Sequence, residues 1–113
     1  MNENSEPITL INSFEVPPDH VDTFVDEWRE RAKIMSTAPG FRDFRMHQVI
    51  SPGARFQFVN VAHWDSYAAW EAAGANPEFR SRVDALDPQV RTGANPAIYR
   101  VVAEFRDRAL EDE

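Results

Sequence analysis

Two asparagines and two tryptophans stand where side chains could bind and polarise a flat organic molecule. Asn12 lies in "PITLINSFEV" (7–16) and Asn60 in "RFQFVNVAHW" (55–64). Both segments read as β-strands, in which successive side chains take opposite faces. Asn12 then shares a face with Ile8, Leu10, Phe14 and Val16, and Asn60 with Phe58, Ala62 and Trp64. An amide buried on such a face without a partner costs about 1–3 kcal/mol. Either the two amides bond each other or free backbone groups and fix strand register, or they aim donors at a ligand oxygen. A mostly apolar pocket with a few convergent polar groups is the ordinary form of a small-molecule site. Trp64 ends the strand on the face of Asn60, and Trp70 follows six residues later. Phe14, Phe24, Phe56 and Phe58 are candidates to surround the same space.

The three histidines add one further candidate. His20 reads as solvated, and His63 falls on the strand face away from Asn60. His47 faces the pocket if the hairpin pairs symmetrically about "SPGA" (51–54), opposite Phe58. A slip of one residue turns it away, and the apolar Phe44, Met46 and Ile50 favour that slip. On the pocket side His47 is a candidate general base. No histidine pair has metal-ligand spacing, and no phosphate-cradling glycine loop or nucleophile elbow occurs.

The elements that position these residues alternate in type. After "PP" at 17–18, Val21, Phe24, Val25, Trp28, Ala32 and Met35 recur at helical spacing. They predict an amphipathic helix stopped by "APG" at 38–40, with Trp28 packing on its apolar face. "FRDFRMHQVI" (41–50) and residues 55–64 form a hairpin. Asp65 or Ser66 caps a second helix, and Asn76 with Pro77 restarts it towards Leu86. Residues 87–96 read as a loop and "AIYRVVAEF" (97–105) as the last strand. The order β-α-β-β-α-β is the ferredoxin-like α+β arrangement, a four-stranded antiparallel sheet with both helices on one face. Right-handed crossovers make the first and third strands central neighbours, so Asn12 and Asn60 stand on adjacent strands. The other sheet face is half apolar, with Ile11, Val59 and Val61 beside Thr9, Ser13, Glu15, Gln57 and His63. Such a face calls for a partner, most simply a second copy.

The bulk numbers bound the remaining classes. One domain over residues 1–113, with an ordered core at about 7–105, suits this length. Residues 1–6 and 107–113 are polar and read as frayed ends. The chain has no cysteine, which excludes disulfides and thiolate chemistry. A net charge of −7 without a basic patch argues against nucleic-acid and membrane-surface binding. The N-terminus does not read as a signal peptide and no apolar run reaches membrane-spanning length. A cytoplasmic location is the expectation.

"ITLINSFEVPP", "FVDEWRERA", "PGFRDFRMH", "RFQFVNVAHWDS", "NPEF" and "NPAIYRVV", in this order and spacing, resemble the antibiotic biosynthesis monooxygenase family of dimeric α+β barrels. The resemblance covers about residues 7–105 and implies a homodimer through the open sheet face. In the cofactor-free anthrone monooxygenases of that family, two strand asparagines and a Trp form the active site; Asn12, Asn60 and Trp64 match them. Trp70 takes the place of an aromatic residue that is commonly Tyr, and Arg80 or Arg82 is a loose match to a variable basic position. This branch implies a monooxygenase that oxidises an anthrone-type aromatic substrate to a quinone with O₂ and no cofactor. Asn12, Asn60 and Trp64 would be catalytic, with Trp70, Phe58, Phe14 and His47 around the substrate. A second branch degrades haem; Asn12 fits it, but no histidine follows His63 to bind iron. A third reading is a non-enzymatic protein of the same fold that binds a small hydrophobic ligand.

Overall fold

Alternation of apolar and polar residues places four strands in one antiparallel sheet, in which the second, third, first and fourth strands of the chain follow one another across the sheet. The computed structural model describes residues 6–107; the expectation of frayed ends falls almost wholly outside them. The strands are β1 (Ile8–Phe14), β2 (Phe41–Gln48), β3 (Phe58–Trp64) and β4 (Ala94–Tyr99). Helix α1 (Val21–Met35) follows a 3₁₀ turn at Pro18–His20. The second helical region divides into α2 (Tyr67–Gly74), α3 (Pro77–Asp84) and α4 (Pro88–Thr92). This is the ferredoxin-like α+β architecture read from the sequence. Among the described residues no helix is long and apolar enough to cross a membrane.

Local chemistry sets the helix starts. The Ser66 hydroxyl accepts the Ala69 N–H at 3.1 Å, and Asn76 Oδ1 accepts the N–H groups of Glu78 and Phe79. Asp87 Oδ1 does the same for Gln89 at 2.9 Å, just ahead of Pro88. These side chains satisfy donors that every helix start leaves open. Asp87 and Pro88 therefore build a short helix where a loop is expected. Gly40, at φ +86°, turns the chain after α1, and a Cβ there would stand 2.5 Å from that of Ala69. Only glycine allows α2 to lie so close.

Two strand boundaries differ from the sequence reading. β3 starts at Phe58 because Gln57 serves as a cross-link: its Oε1 accepts the Val16 N–H at 2.7 Å. β4 runs over Ala94–Tyr99 rather than 97–105. It is an edge strand, which tolerates Pro96 opposite Asn12. Its start is fixed by Asn95, whose side chain donates to the carbonyls of Ser13 and Gly93.

The helical face of the sheet carries two buried clusters. One holds Ile8, Leu10, Ala62, Trp64 and Ala73; the other holds Phe14, Val16, Phe24, Phe58 and Val90. Phe24 from α1 stacks on Phe58 at 4.4 Å and meets Phe14 edge-on at 5.0 Å. Asn12 separates Leu10 from Phe14 along β1, and Asn60 separates Phe58 from Ala62 along β3. The two amides therefore occupy the gap between the clusters.

Candidate active site

The β1–β3 register sets Asn12 directly opposite Asn60. Each amide meets a different environment. The Asn12 Oδ1 accepts the Asn95 N–H of the edge strand at 3.0 Å. A backbone N–H can only donate, so this bond fixes the amide orientation and leaves the Asn12 NH₂ as its free donor. Asn60 is 1% exposed, and its Oδ1 has no hydrogen-bond partner among the described residues. The two amides share a register position, yet neither oxygen accepts from the other.

Above Asn12 the sheet and helices part around a cavity of about 740 Å³. That volume lies within the usual range for sites that enclose a drug-sized ligand. β1 supplies Leu10, Asn12 and Phe14, and α1 supplies Trp28, Arg31 and Met35. Tyr67 and Trp70 of α2 pack edge-on, 5.5 Å between ring centres, and line the opposite wall with Phe79, Arg80 and Val83 of α3. Val90, Arg91, Ala94 and Pro96 close the end nearest β4. The break between α2 and α3 creates this wall, because one continuous helix would carry its apolar face straight along the sheet.

The structure brings Asn12, Phe14 and Trp70 to the cavity wall. Phe58, Asn60 and Trp64 lie beneath it, and all three are fully buried. Trp64 packs edge-on against Phe41 at 5.3 Å, and its Nε1 has no hydrogen-bond partner among the described residues. His47 takes the other face of the sheet. β2 pairs Gln48 with Phe58 and His47 with Val59, so His47 points away from the helices. Its Nδ1 lies 3.2 Å from the Val59 carbonyl oxygen. The long link at 49–57 sets this register, in which Gln48 rather than His47 stands opposite Phe58 and Met46 pairs with Asn60. His63 is on the same open face, with Nδ1 2.6 Å from Asp43.

Arg31 and Trp28 are the lining residues that strand reasoning did not reach. Trp28, Arg31 and Met35 are spaced three and four apart on one helical stripe, a signal that was present in the sequence. Trp28 keeps an unpaired Nε1 and meets Phe14 and Phe44 edge-on. The Arg31 guanidinium carbon lies 5.2 Å from the centre of the Trp28 ring, a cation–π contact. Burial lowers the Arg31 pKa, while Glu27 acts in the opposite sense.

This ferredoxin-like α+β fold holds a largely apolar cavity fronted by a strand amide. The chain matches the model of the antibiotic biosynthesis monooxygenase family over residues 7–85, and it belongs to that family. A candidate monooxygenase from Shewanella loihica PV-4 is 35% identical, with a TM-score of 0.72 over 88% of this chain and 98% of that one. SnoaB, a cofactor-independent oxygenase from Streptomyces nogalater, shares the fold at 18% identity and a TM-score of 0.72, over 90% and 99% of the two chains. A mycobilin-producing haem oxygenase of Mycobacterium tuberculosis is 29% identical over 96 residues, 85% of this chain and 90% of that protein.

The residues present do not fit a histidine-ligated haem. His20 lies on the turn before α1, 3.5 Å from Asp87, and the other two histidines occupy the open sheet face. No histidine lines the cavity.

Proposed function

We propose that this chain is a cofactor-independent monooxygenase that oxidises an anthrone-type aromatic substrate to a quinone with O₂. The observation that carries the reading is Asn12: its oxygen is held by Asn95, and its remaining donor borders an aromatic-walled cavity. A substrate of this class supplies its own electrons once it loses a proton. Its CH₂ group gives up a proton, and the resulting anion passes one electron to O₂. The substrate radical and superoxide combine into a peroxide, which loses water to leave a new C=O. One O₂ is consumed, one oxygen atom enters the quinone, and the other leaves as water.

The protein has two tasks in this scheme. It stabilises the substrate anion, and it keeps water from the reactive intermediate. The Asn12 NH₂ donates to the oxyanion, an effect worth about 2.7–4 kcal/mol per donor in a dry site. The arginines that line the cavity, Arg31, Arg80 and Arg91, favour the anion electrostatically. Trp28 and Trp70 contact the flat rings and exclude water. Glu71, the one carboxylate among the residues that line the cavity, takes the proton in this scheme. Asn60, opposite Asn12 but buried outside the cavity lining, supports that amide from the adjacent strand, and Trp64 anchors β3 beneath it.

The same reading carries a homodimer joined through the open sheet face. Ile11, Val59 and Val61 are half-buried there without helices above them, and Tyr99 is exposed at the edge. Purified protein with an anthrone in air, and no added cofactor, tests the activity. Quinone formation matched one-to-one by oxygen uptake supports it, and no turnover overturns it. Added haem that produces a shifted Soret band would favour the haem reading instead.

A further inference from the structure

Arg31 combines deep burial with the absence of a close counter-ion among the described residues, Glu27 acting on it only from beyond ion-pair distance. Only 4% of it is exposed, yet among the described residues no carboxylate lies within 4.0 Å of its guanidinium and it makes no hydrogen bond. Its one close polar interaction is with the face of Trp28. Arg31 also lines a second cavity of about 250 Å³ with Glu27, Glu30 and Arg82, and both carboxylates there are exposed. A buried charge that lacks a partner is costly, because desolvation is not repaid by an ion pair. Arginine stays protonated at any working pH and cannot escape this cost by losing its proton.

The guanidinium borders the main cavity, where its surroundings are apolar on most sides. Arg80 and Arg91 add two exposed cations to the same walls, against the single carboxylate of Glu71. The balance therefore favours an anion in an acidic protein whose net charge is −7. Five N–H donors in a planar fork match a carboxylate in two parallel bonds. A phosphate calls for several converging donors, and none of the four glycines stands in a glycine-rich loop.

We propose that the ligand of this cavity is an aromatic carboxylic acid whose carboxylate pairs with Arg31 while its rings lie between Trp28 and Trp70. The inference rests on the cavity being the substrate site and names the class of substrate it takes. In this placement the carboxylate is held at the α1 wall and the reacting ring is directed to Asn12 on the sheet. Arg31 is a specificity-determining residue, and an anthrone that carries a carboxylate binds more tightly than its neutral counterpart.

Tryptophan fluorescence measures the test directly, since Trp28 and Trp70 line the site. An anthraquinone carboxylate and its carboxamide are titrated into the wild-type chain, Arg31→Met and Arg31→Lys. The wild type binds the acid at least about tenfold more tightly than the amide, a difference ordinary for a charge-assisted pair. Arg31→Met brings the acid-to-amide affinity ratio to about one, and Arg31→Lys retains part of the preference. Replacing a buried charge by a similar-sized apolar residue is commonly tolerated. If Arg31→Met does not fold, the acid-to-amide ratio in wild type and Arg31→Lys decides alone. Equal binding of acid and amide by the wild type overturns this inference and leaves the cavity reading intact. An acid preference that survives in Arg31→Met also overturns it. Failure of both compounds to bind overturns the inference together with the cavity reading. Tight acid binding without any oxidation of the corresponding anthrone supports it while removing the proposed reaction.

Discussion

Asn12 and Asn60 face each other across the central strands, but each amide oxygen is treated differently. Asn12 accepts the Asn95 N–H, whereas Asn60 Oδ1 is buried with no partner among the described residues. A pair that existed only to hold register would bond across this position. An orphaned oxygen costs about 1–3 kcal/mol, so its presence in the core calls for a use.

The stability of Asn60→Leu follows from that cost. The substitution removes an unsatisfied group and fills the same volume with apolar atoms. Urea unfolding is expected to show unchanged or increased stability, by up to about 1–3 kcal/mol, while oxidation of an anthrone slows. A loss of more than about 1 kcal/mol would assign Asn60 a structural hydrogen bond.

Trp64 and Trp70 should separate by phenotype. Trp64 is 1% exposed and packs against Phe41. Trp64→Ala is expected to cost about 3–5 kcal/mol of stability. Trp70 borders the cavity and is only half-buried. Trp70→Ala should weaken ligand binding at least tenfold, roughly the worth of an aromatic stacking contact, and should cost less stability than Trp64→Ala. Thermal melts with ligand titrations distinguish the two.

Phe24 is the centre of the second cluster, stacked on Phe58 and edge-on to Phe14. Phe24→Ala should cost about 3–5 kcal/mol, read as a lower denaturant midpoint. A cost below about 1 kcal/mol would mean that α1 is held to the sheet elsewhere.

The open sheet face provides the dimer test. Val61→Glu places a charge in the middle of it, opposite Ile11 on one side and Arg45 on the other. Light scattering should report a dimer for the unaltered chain and a monomer for the variant. A monomeric unaltered chain would refute the homodimer.

Much of this arrangement was legible in the residues. Period-two alternation and right-handed connection rules were enough to bring Asn12 beside Asn60, and Ser66 and Asn76 announced their helix starts. Other features depend on information that one element does not carry. The face of His47 was ambiguous because the 49–57 link sets the hairpin register, and Gln57 in that link is tied to Val16 of the first strand's end. α4 has five residues, too few for periodicity to show, and only Asp87 with Pro88 marks it. Trp28 lies on an apolar stripe either way; whether that stripe packs or borders a cavity depends on where α2 and α3 break. Arg31 is the same case: its spacing from Trp28 puts it on that stripe, but its burial beside the cavity depends on how the other elements pack.

The most direct measurement compares the unaltered chain with Asn12→Asp in cofactor-free oxidation of an anthrone, followed by oxygen uptake. Asp keeps an oxygen to accept the Asn95 N–H, so the fold should persist, but it removes the NH₂ donor. Loss of one such donor is expected to lower kcat by about 10²–10³, with a far-ultraviolet circular dichroism spectrum like that of the unaltered chain. An unchanged kcat in folded Asn12→Asp would contradict the central claim that this amide stabilises the substrate anion.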